Sequence, residues 1–212
     1  MASNTLTGRT LDHDKAVAAT PPAPATAPLE LMVEPQEHSN WCWAAVASGV
    51  SKFLDKTDTW PQCSVATAVI GHGCDCCDDY DESTCNVSSS ARFALGKTGN
   101  LRDWDPLPDD ASDQIDQLAQ NVAAEMANGL PVCLRVSWDG DDPSDDSEGH
   151  FIAVRNVDKN DQDEYCFLTT DPIYGDAHYS VSDFVFAAYG NQFKPDAVHG
   201  KWTHTYYTCK SS

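Results

Sequence analysis

The stretch Gln36–Ser48 reads QEHSNWCWAAVAS and sets Cys42 between two tryptophans, with small residues following at helical spacing. A cysteine kept only for packing needs no particular flank. One that attacks a carbonyl needs a helix N-terminus to favour the thiolate, a base to take its proton and a donor for the developing oxyanion. The rest of the chain offers all three. Gln36 lies six residues before Cys42, a Gly-His pair at 149–150 opens an apolar run, and TTDP at 169–172 closes the next one. Imidazole suits the base because its ordinary pKa lies near neutrality. An aspartate can fix its tautomer and orientation.

These residues require particular elements beneath them. From Asn40 the pattern is helical: Trp41, Ala44, Ala45, Ser48 and Gly49 share a face, with Phe53 and Leu54 extending it. Ser39 and Asn40 are the expected N-caps, so Cys42 falls in the first turn. Residues 63–71 predict a second short helix, and VSSSARFALGKTG a third that ends at Gly96 or Gly99. Residues 111–128 predict the clearest helix. There Ile115, Leu118, Ala119, Val122, Ala123 and Met126 repeat at helical intervals, Ser112 with Asp113 starts it, and Gly129 with Pro131 ends it.

Beyond that helix the period changes to two. PVCLRVSW alternates Val132, Leu134, Val136 and Trp138 on one face, and HFIAVRNV and YCFLTTD alternate likewise. HYSVS and WTHTYYT are further strand candidates, with SDFVFAAYG a short helix between them. Helices first and an antiparallel sheet afterwards is the α+β pattern. A hairpin turning near Asn160 or Asp161 would bring His150 and Asp171 together at one sheet edge.

The Gln36, Asn-Trp-Cys-Trp-Ala-Ala, Gly-His and Asp-Pro features, in this order, resemble the papain-like cysteine peptidases. The similarity is to their compact bacterial branch, which includes effector proteases of plant pathogens. The resemblance spans about residues 33–208 and implies an α+β, papain-like fold whose helical half carries the cysteine and whose sheet carries histidine and aspartate. It implies that Cys42 is the nucleophile, His150 the general base and acid, Asp171 its orienting partner, and Gln36 the oxyanion donor beside the Cys42 backbone N–H. Asparagine stands at the position of Asp171 in many such enzymes. The implied reaction is hydrolysis of a peptide or protein substrate through a thioester, with no cofactor. Two alternatives share the fold: capture of the thioester by an amine, and a binding module without turnover.

Composition narrows the partners. The 212-residue chain carries 33 acidic against 13 Lys and Arg residues, a net charge of −20. Every approach to phosphate would meet repulsion, which opposes nucleic acid and anionic membrane. No apolar run approaches the roughly 18 residues of a membrane span. Residues 1–28, ending in PPAPATAP, read as a disordered leader or linker, with a pro-segment as the functional alternative, and residues 29–212 as one peptidase domain. Nine cysteines imply oxidising surroundings and export, although the N-terminus lacks the charged start and apolar core of a secretory signal. Oligomeric state has no signature.

Two loops remain. HGCDCCDDYDESTC holds Cys74, Cys76, Cys77 and Cys85 beside His72. Disulfides, with Cys63 as outside partner for one of them, are preferred over zinc, because the second zinc knuckle is missing and vicinal Cys76 and Cys77 cannot easily face one metal. The resembled group carries comparable cysteines here. DGDDPSDDSEG, residues 139–149, is expected to be a solvated, mobile loop. A functional version would rim the cleft, attract basic peptides and raise the pKa of His150. Of the tryptophans, one of Trp41 and Trp43 is expected in the core and the other at the cleft. Trp202 fits either a core strand or a shield over the catalytic pair.

Overall fold

A computed structural model describes residues 27–57, 60–71, 73–138, 141–142, 145–190 and 199–211. The leader expected over residues 1–28 falls almost entirely outside them. The first half is helical: α1 (Cys42–Leu54), α2 (Gln62–Ile70), α3 (Glu82–Cys85) and α4 (Ala91–Lys97). Then come β1 (Leu101–Pro106), a 3-10 turn at Ala111–Asp113, α5 (Ile115–Ala127), β2 (Val132–Ser137), β3 (His150–Lys159), β4 (Tyr165–Asp171), β5 (Gly175–Ser180), α6 (Val181–Val185) and β6 (Lys201–Thr208). The strands form one antiparallel sheet in the order β1-β6-β2-β3-β4-β5.

Helices cover both faces of this sheet, so the apolar side chains of the strands divide between two cores. On one face, Cys133, Phe151, Ala153 and Tyr206 pack with α1, α2 and α4. On the other, Leu134, Ile152, Val154, Phe167 and Trp202 pack with α5 and α6. The alternation in PVCLRVSW predicts the second set, and β2, covered twice, is buried at every position. Trp202 belongs to this core, edge-on to Phe167 at 5.8 Å, and its indole donates to the His204 carbonyl at 3.0 Å. It does not cover His150 and Asp171.

Helix α1 is buried from Cys42 through Ser51, so the one-faced pattern read from the sequence is too narrow. The small residues explain it. A Cβ on Gly49 would lie 2.8 Å from the Met32 carbonyl, because the segment before the helix crosses there. That segment is laid along the sheet by Leu29 N–H to Arg155 O, Val33 N–H to Thr170 Oγ1, and Gln36 N–H to Pro172 O. It joins the helix of Cys42 to the turn that follows Asp171.

Two further expectations are corrected. The N-cap of α1 is Trp41, which gives no side-chain cap, rather than Ser39 or Asn40. Those side chains are committed to Asn86: Ser39 Oγ accepts from Asn86 Nδ2 at 2.8 Å, and Asn40 Nδ2 donates to its carbonyl at 2.8 Å. The long helix begins at Ile115 after the 3-10 turn, so Ser112 and Asp113 do not start it. Its end is as expected, with Gly129 at φ 72° and Leu130 N–H bonded back to Glu125 O. Strand β1 has no clean alternation in LRDWDP. It is an edge strand paired to β6 alone, and it ends at Pro106, a residue that edges tolerate.

Candidate active site

Cys42 is the first residue of α1, and the tryptophans beside it fix that helix end in place. Trp41 donates its indole N–H to Cys85 O at 2.7 Å, and Trp43 to Val87 O at 3.2 Å. Both rings are buried. Trp41 also meets His38 edge-on at 4.3 Å, and His38 stacks on Tyr80 at 4.0 Å. The receiving loop is itself braced by two disulfides, Cys76–Cys85 and Cys63–Cys77. The vicinal pair thus points to two different partners, and Cys63 is the outside one. Cys74, grouped with them in the sequence reading, is a free thiol. His72 lies outside the described residues.

His150 opens β3, and the glycine before it has a steric cause. Gly149 has φ +91°, and a Cβ there would stand 2.5 Å from the Val136 carbonyl. The turn at Asn160–Glu164 joins β3 to β4 as an antiparallel pair. Asp171 at the end of β4 therefore returns to His150, and His150 Nε2 lies 2.7 Å from Asp171 Oδ2. With Nε2 committed, Nδ1 is the nitrogen left for the Cys42 thiol, which lines the same cleft as His150. The His150 and Asp171 side chains are 3% and 0% exposed, so their attraction is little screened.

The carboxylate is saturated. Oδ1 accepts the backbone N–H groups of Ile173 at 2.6 Å and Tyr174 at 2.9 Å, while Oδ2 takes His150 and the Tyr189 hydroxyl. Burial alone would raise Asp171, but these donors, His150 first, hold it below its ordinary value. For His150, burial works toward a lower value, and the Asp171 carboxylate and the Cys42 sulfur outweigh it, raising the imidazole to about 10. A nucleophile, a proton carrier and a fixed anion in this arrangement can perform acyl transfer.

A family model described as Peptidase_C39 like family matches residues 28–197, a span that includes Gln36, Cys42, His150 and Asp171. The chain belongs to the Peptidase_C39 like family. No curated protein matches its sequence. Membership brings cysteine peptidase activity in general terms, and with it a peptide or protein substrate. The α+β architecture with six antiparallel strands is compatible with that family and with the papain-like fold.

Gln36 is the sequence-predicted residue whose placement is least direct. Its amide donates to His38 O at 2.9 Å and Ser39 O at 2.7 Å, and its buried Oε1 has no partner among the described residues. Here it braces the loop leading into Cys42. The cleft beside the thiol has a volume of about 220 Å³ and is lined by Ser39, Asn40, Trp43, Ser88, Trp138 and Ile173, among others. Both tryptophans of the collar are thus buried, and Trp43 also borders the cleft. A larger hollow of about 700 Å³, between Trp104, Leu107, Phe186 and His204, contains none of the four residues.

The site also depends on residues the sequence reading left out. Trp138 stacks on the His150 ring with centroids 5.8 Å apart and supplies the apolar cover that was one reading of Trp202. Its position one step past β2 and its place in the alternation were visible, but its ring contact was not. Tyr189 follows α6 by four residues, and no spacing rule ties it to Asp171. Arg135, fully buried, donates to Glu148 O at 2.7 Å, Asp142 O at 3.0 Å and Thr203 Oγ1 at 2.7 Å. It binds the acidic loop through backbone carbonyls. Asp146 of that loop pairs with Arg92 at 3.3 Å and accepts from Ser90, and Asp141 accepts the Trp138 N–H at 2.7 Å. The described part of residues 139–149 is therefore anchored rather than loosely solvated. The Asp141 and Asp146 carboxylates face these partners, and the strongest pulls on His150 come from Asp171 and Cys42 instead.

Proposed function

We propose that the protein hydrolyses peptide bonds by a papain-like mechanism, with Cys42, His150 and Asp171 as its catalytic residues. One observation carries the reading: a single buried imidazole is held by Asp171 through Nε2 and lines one cleft with Cys42. In that arrangement the proton of the thiol passes to Nδ1, and the thiolate attacks the peptide carbonyl carbon. The carbonyl π electrons move to oxygen, which the Cys42 backbone N–H meets at the start of α1. Gln36 becomes the second donor when its amide turns from the Ser39 carbonyl. Collapse expels the amine, which takes the proton from His150 and leaves a thioester on Cys42. A water molecule, deprotonated by His150, attacks the thioester, and Cys42 leaves as a thiolate and recovers its proton. Asp171 keeps its charge throughout and stabilises each imidazolium.

A peptide-library cleavage profile of the wild type beside Cys42→Ala tests this reading. The expected outcome is hydrolysed products for the wild type and a rate lower by about 10⁴-fold or more for the variant. Turnover by Cys42→Ala at the wild-type rate would sink the proposal. Ligated products in place of hydrolysed ones would assign the same thioester to amine capture. An electrophilic peptide probe should label Cys42, and His150→Ala should abolish the labelling.

A further inference from the structure

Strands β3, β4 and β5 bring three different donor groups onto one face of the sheet, far from the catalytic residues. The register pairs Asp158 with Cys166, Cys166 with Ser180, and Leu168 with His178, so His178 lies diagonal to Cys166 across one ladder. Phe167 and Tyr179, which alternate with them, enter the core on the opposite face. The carboxylate oxygen of Asp158, the sulfur of Cys166 and a ring nitrogen of His178 all lie within 4.8 Å of one another.

We propose that Asp158, Cys166 and His178 form a zinc site, with solvent completing the coordination. One thiolate, one imidazole and one carboxylate is a donor set suited to zinc, and sulfur disfavours the oxygen-seeking cations. Three ligands about 2.0–2.3 Å from a common centre stand roughly 3.3–3.8 Å from each other. His178 Nε2 and Asp158 Oδ1, now 2.7 Å apart, need open by less than about 1 Å. The sulfur contacts close by a similar amount.

The surroundings fit this use. Cys166 is 4% exposed and forms the floor, whereas the side chains of Asp158 and His178 are 42% and 47% exposed and form a rim open to water. Asn156 Nδ2 donates to the second oxygen of Asp158 at 3.3 Å, which orients the carboxylate from behind. The Cys166 thiol reaches the metal from the buried side. Binding would release the thiol proton and form the Zn–S bond, with no change of oxidation state. Asp158 lies eight residues along β3 from His150, about 26 Å for an extended strand, so the site is separate from the cleft. It would clamp the strands that carry His150 and Asp171.

The test uses full-length Cys42→Ser protein, in which the catalytic thiol cannot contribute a ligand. Zinc titrated against a chromophoric chelator should bind at one equivalent, and cobalt should give a thiolate-to-metal charge-transfer band. Adding Cys166→Ser should remove the band and weaken zinc binding by about tenfold or more. Adding His178→Ala, a rim change that leaves the core intact, should weaken zinc by a similar factor and abolish the zinc-induced rise in thermal midpoint. Cys74→Ser and Cys209→Ser should leave the band in place. Zinc binding unchanged in both the Cys166 and His178 variants, or no binding at micromolar zinc, would overturn the proposal.

Discussion

The Tyr189 hydroxyl donates to Oδ2 of Asp171, the same oxygen that receives His150 Nε2 at 2.7 Å. Tyr189 is fully buried and reaches the site because its backbone pairs with Gly200 beside α6. Burial and the Asp171 charge push the phenol well above its ordinary value, so it remains a donor wherever the enzyme is folded. Two backbone N–H groups fix the other oxygen. The orientation of His150 thus depends on a carboxylate held from four directions.

Tyr189→Phe keeps the ring and removes that donor. The expected result is a fall in kcat of about tenfold with little change in KM, and a stability loss of about 1–3 kcal/mol. Loss of a hydrogen bond to the charged form raises the Asp171 pKa, so the variant should also lose stability at higher pH on the acid side. Unchanged kcat with altered stability would reduce Tyr189 to a packing residue.

Gly149→Ala meets both a left-handed backbone at φ +91° and a carbonyl 2.5 Å from the new Cβ. The two strains add at the residue that aims His150. We expect a destabilisation of about 2 kcal/mol or more and a loss of activity out of proportion to it, measured by urea unfolding beside kinetics on the folded fraction. Activity retained in proportion to folded protein would show that His150 tolerates a displaced turn.

The disulfides should separate in their effects. Closing 9- and 14-residue loops, each contributes about 2–3 kcal/mol through the unfolded chain. Only Cys76–Cys85 adjoins the carbonyl that holds Trp41 and the residues that hold Asn40 and Trp43. Replacing both Cys76 and Cys85 by serine should therefore lower kcat as well as stability. The Cys63/Cys77 pair should lower stability alone. Equal kinetic effects would place the support of α1 elsewhere.

The sheet strands β2 to β4 and the hairpin between them were legible because period-two runs and a polar turn act locally. The same holds for Cys42 at a helix start, since small residues and helical spacing are local signals. Strand β1 was not legible, because LRDWDP becomes a strand only through the bonds that β6 offers it. The N-cap of α1 was misplaced for a related reason: Ser39 and Asn40 have the right chemistry, but Asn86, a distant residue in the chain, claims both. Tyr189, Trp138 and Arg135 act on the site through tertiary contacts that no spacing encodes. The pairing of His150 with Asp171 was legible only as a consequence of the hairpin.

In the proposed mechanism Gln36 has two roles that one substitution can separate. As a brace it holds the His38 and Ser39 carbonyls, and as an oxyanion donor it must give up one of them. Gln36→Ala should lower kcat by about 10²-fold with a much smaller rise in KM, the pattern of an interaction made in the transition state. Gln36→Glu keeps the size, loses the donors and should be at least as impaired. A drop in thermal midpoint with kcat retained would leave Gln36 as a brace only.

The pH dependence follows from the sign of two shifts. His150 is raised from 6.5 to about 10, so its contribution to stability is complete below pH 6.5, where folded and unfolded chains both hold the proton. Between 6.5 and about 10 the unfolded chain releases that proton first, and stability declines with rising pH. Asp171 is lowered from 3.8, so its contribution is present above that value and is lost as pH falls through the folded one. The two effects leave a plateau between about pH 4 and 6.5. Thermal midpoints of wild type and His150→Gln should run with different slopes above pH 6.5, the wild type falling more steeply. The alkaline limb of kcat/KM should likewise lie well above the ordinary imidazole value and move downward in Asp171→Asn, which takes away the charge that holds the proton. Parallel midpoint curves for wild type and His150→Gln, with an alkaline limb unmoved by Asp171→Asn, would mean that the buried imidazole is neutral in the folded enzyme and that the thiol is activated without an imidazolium.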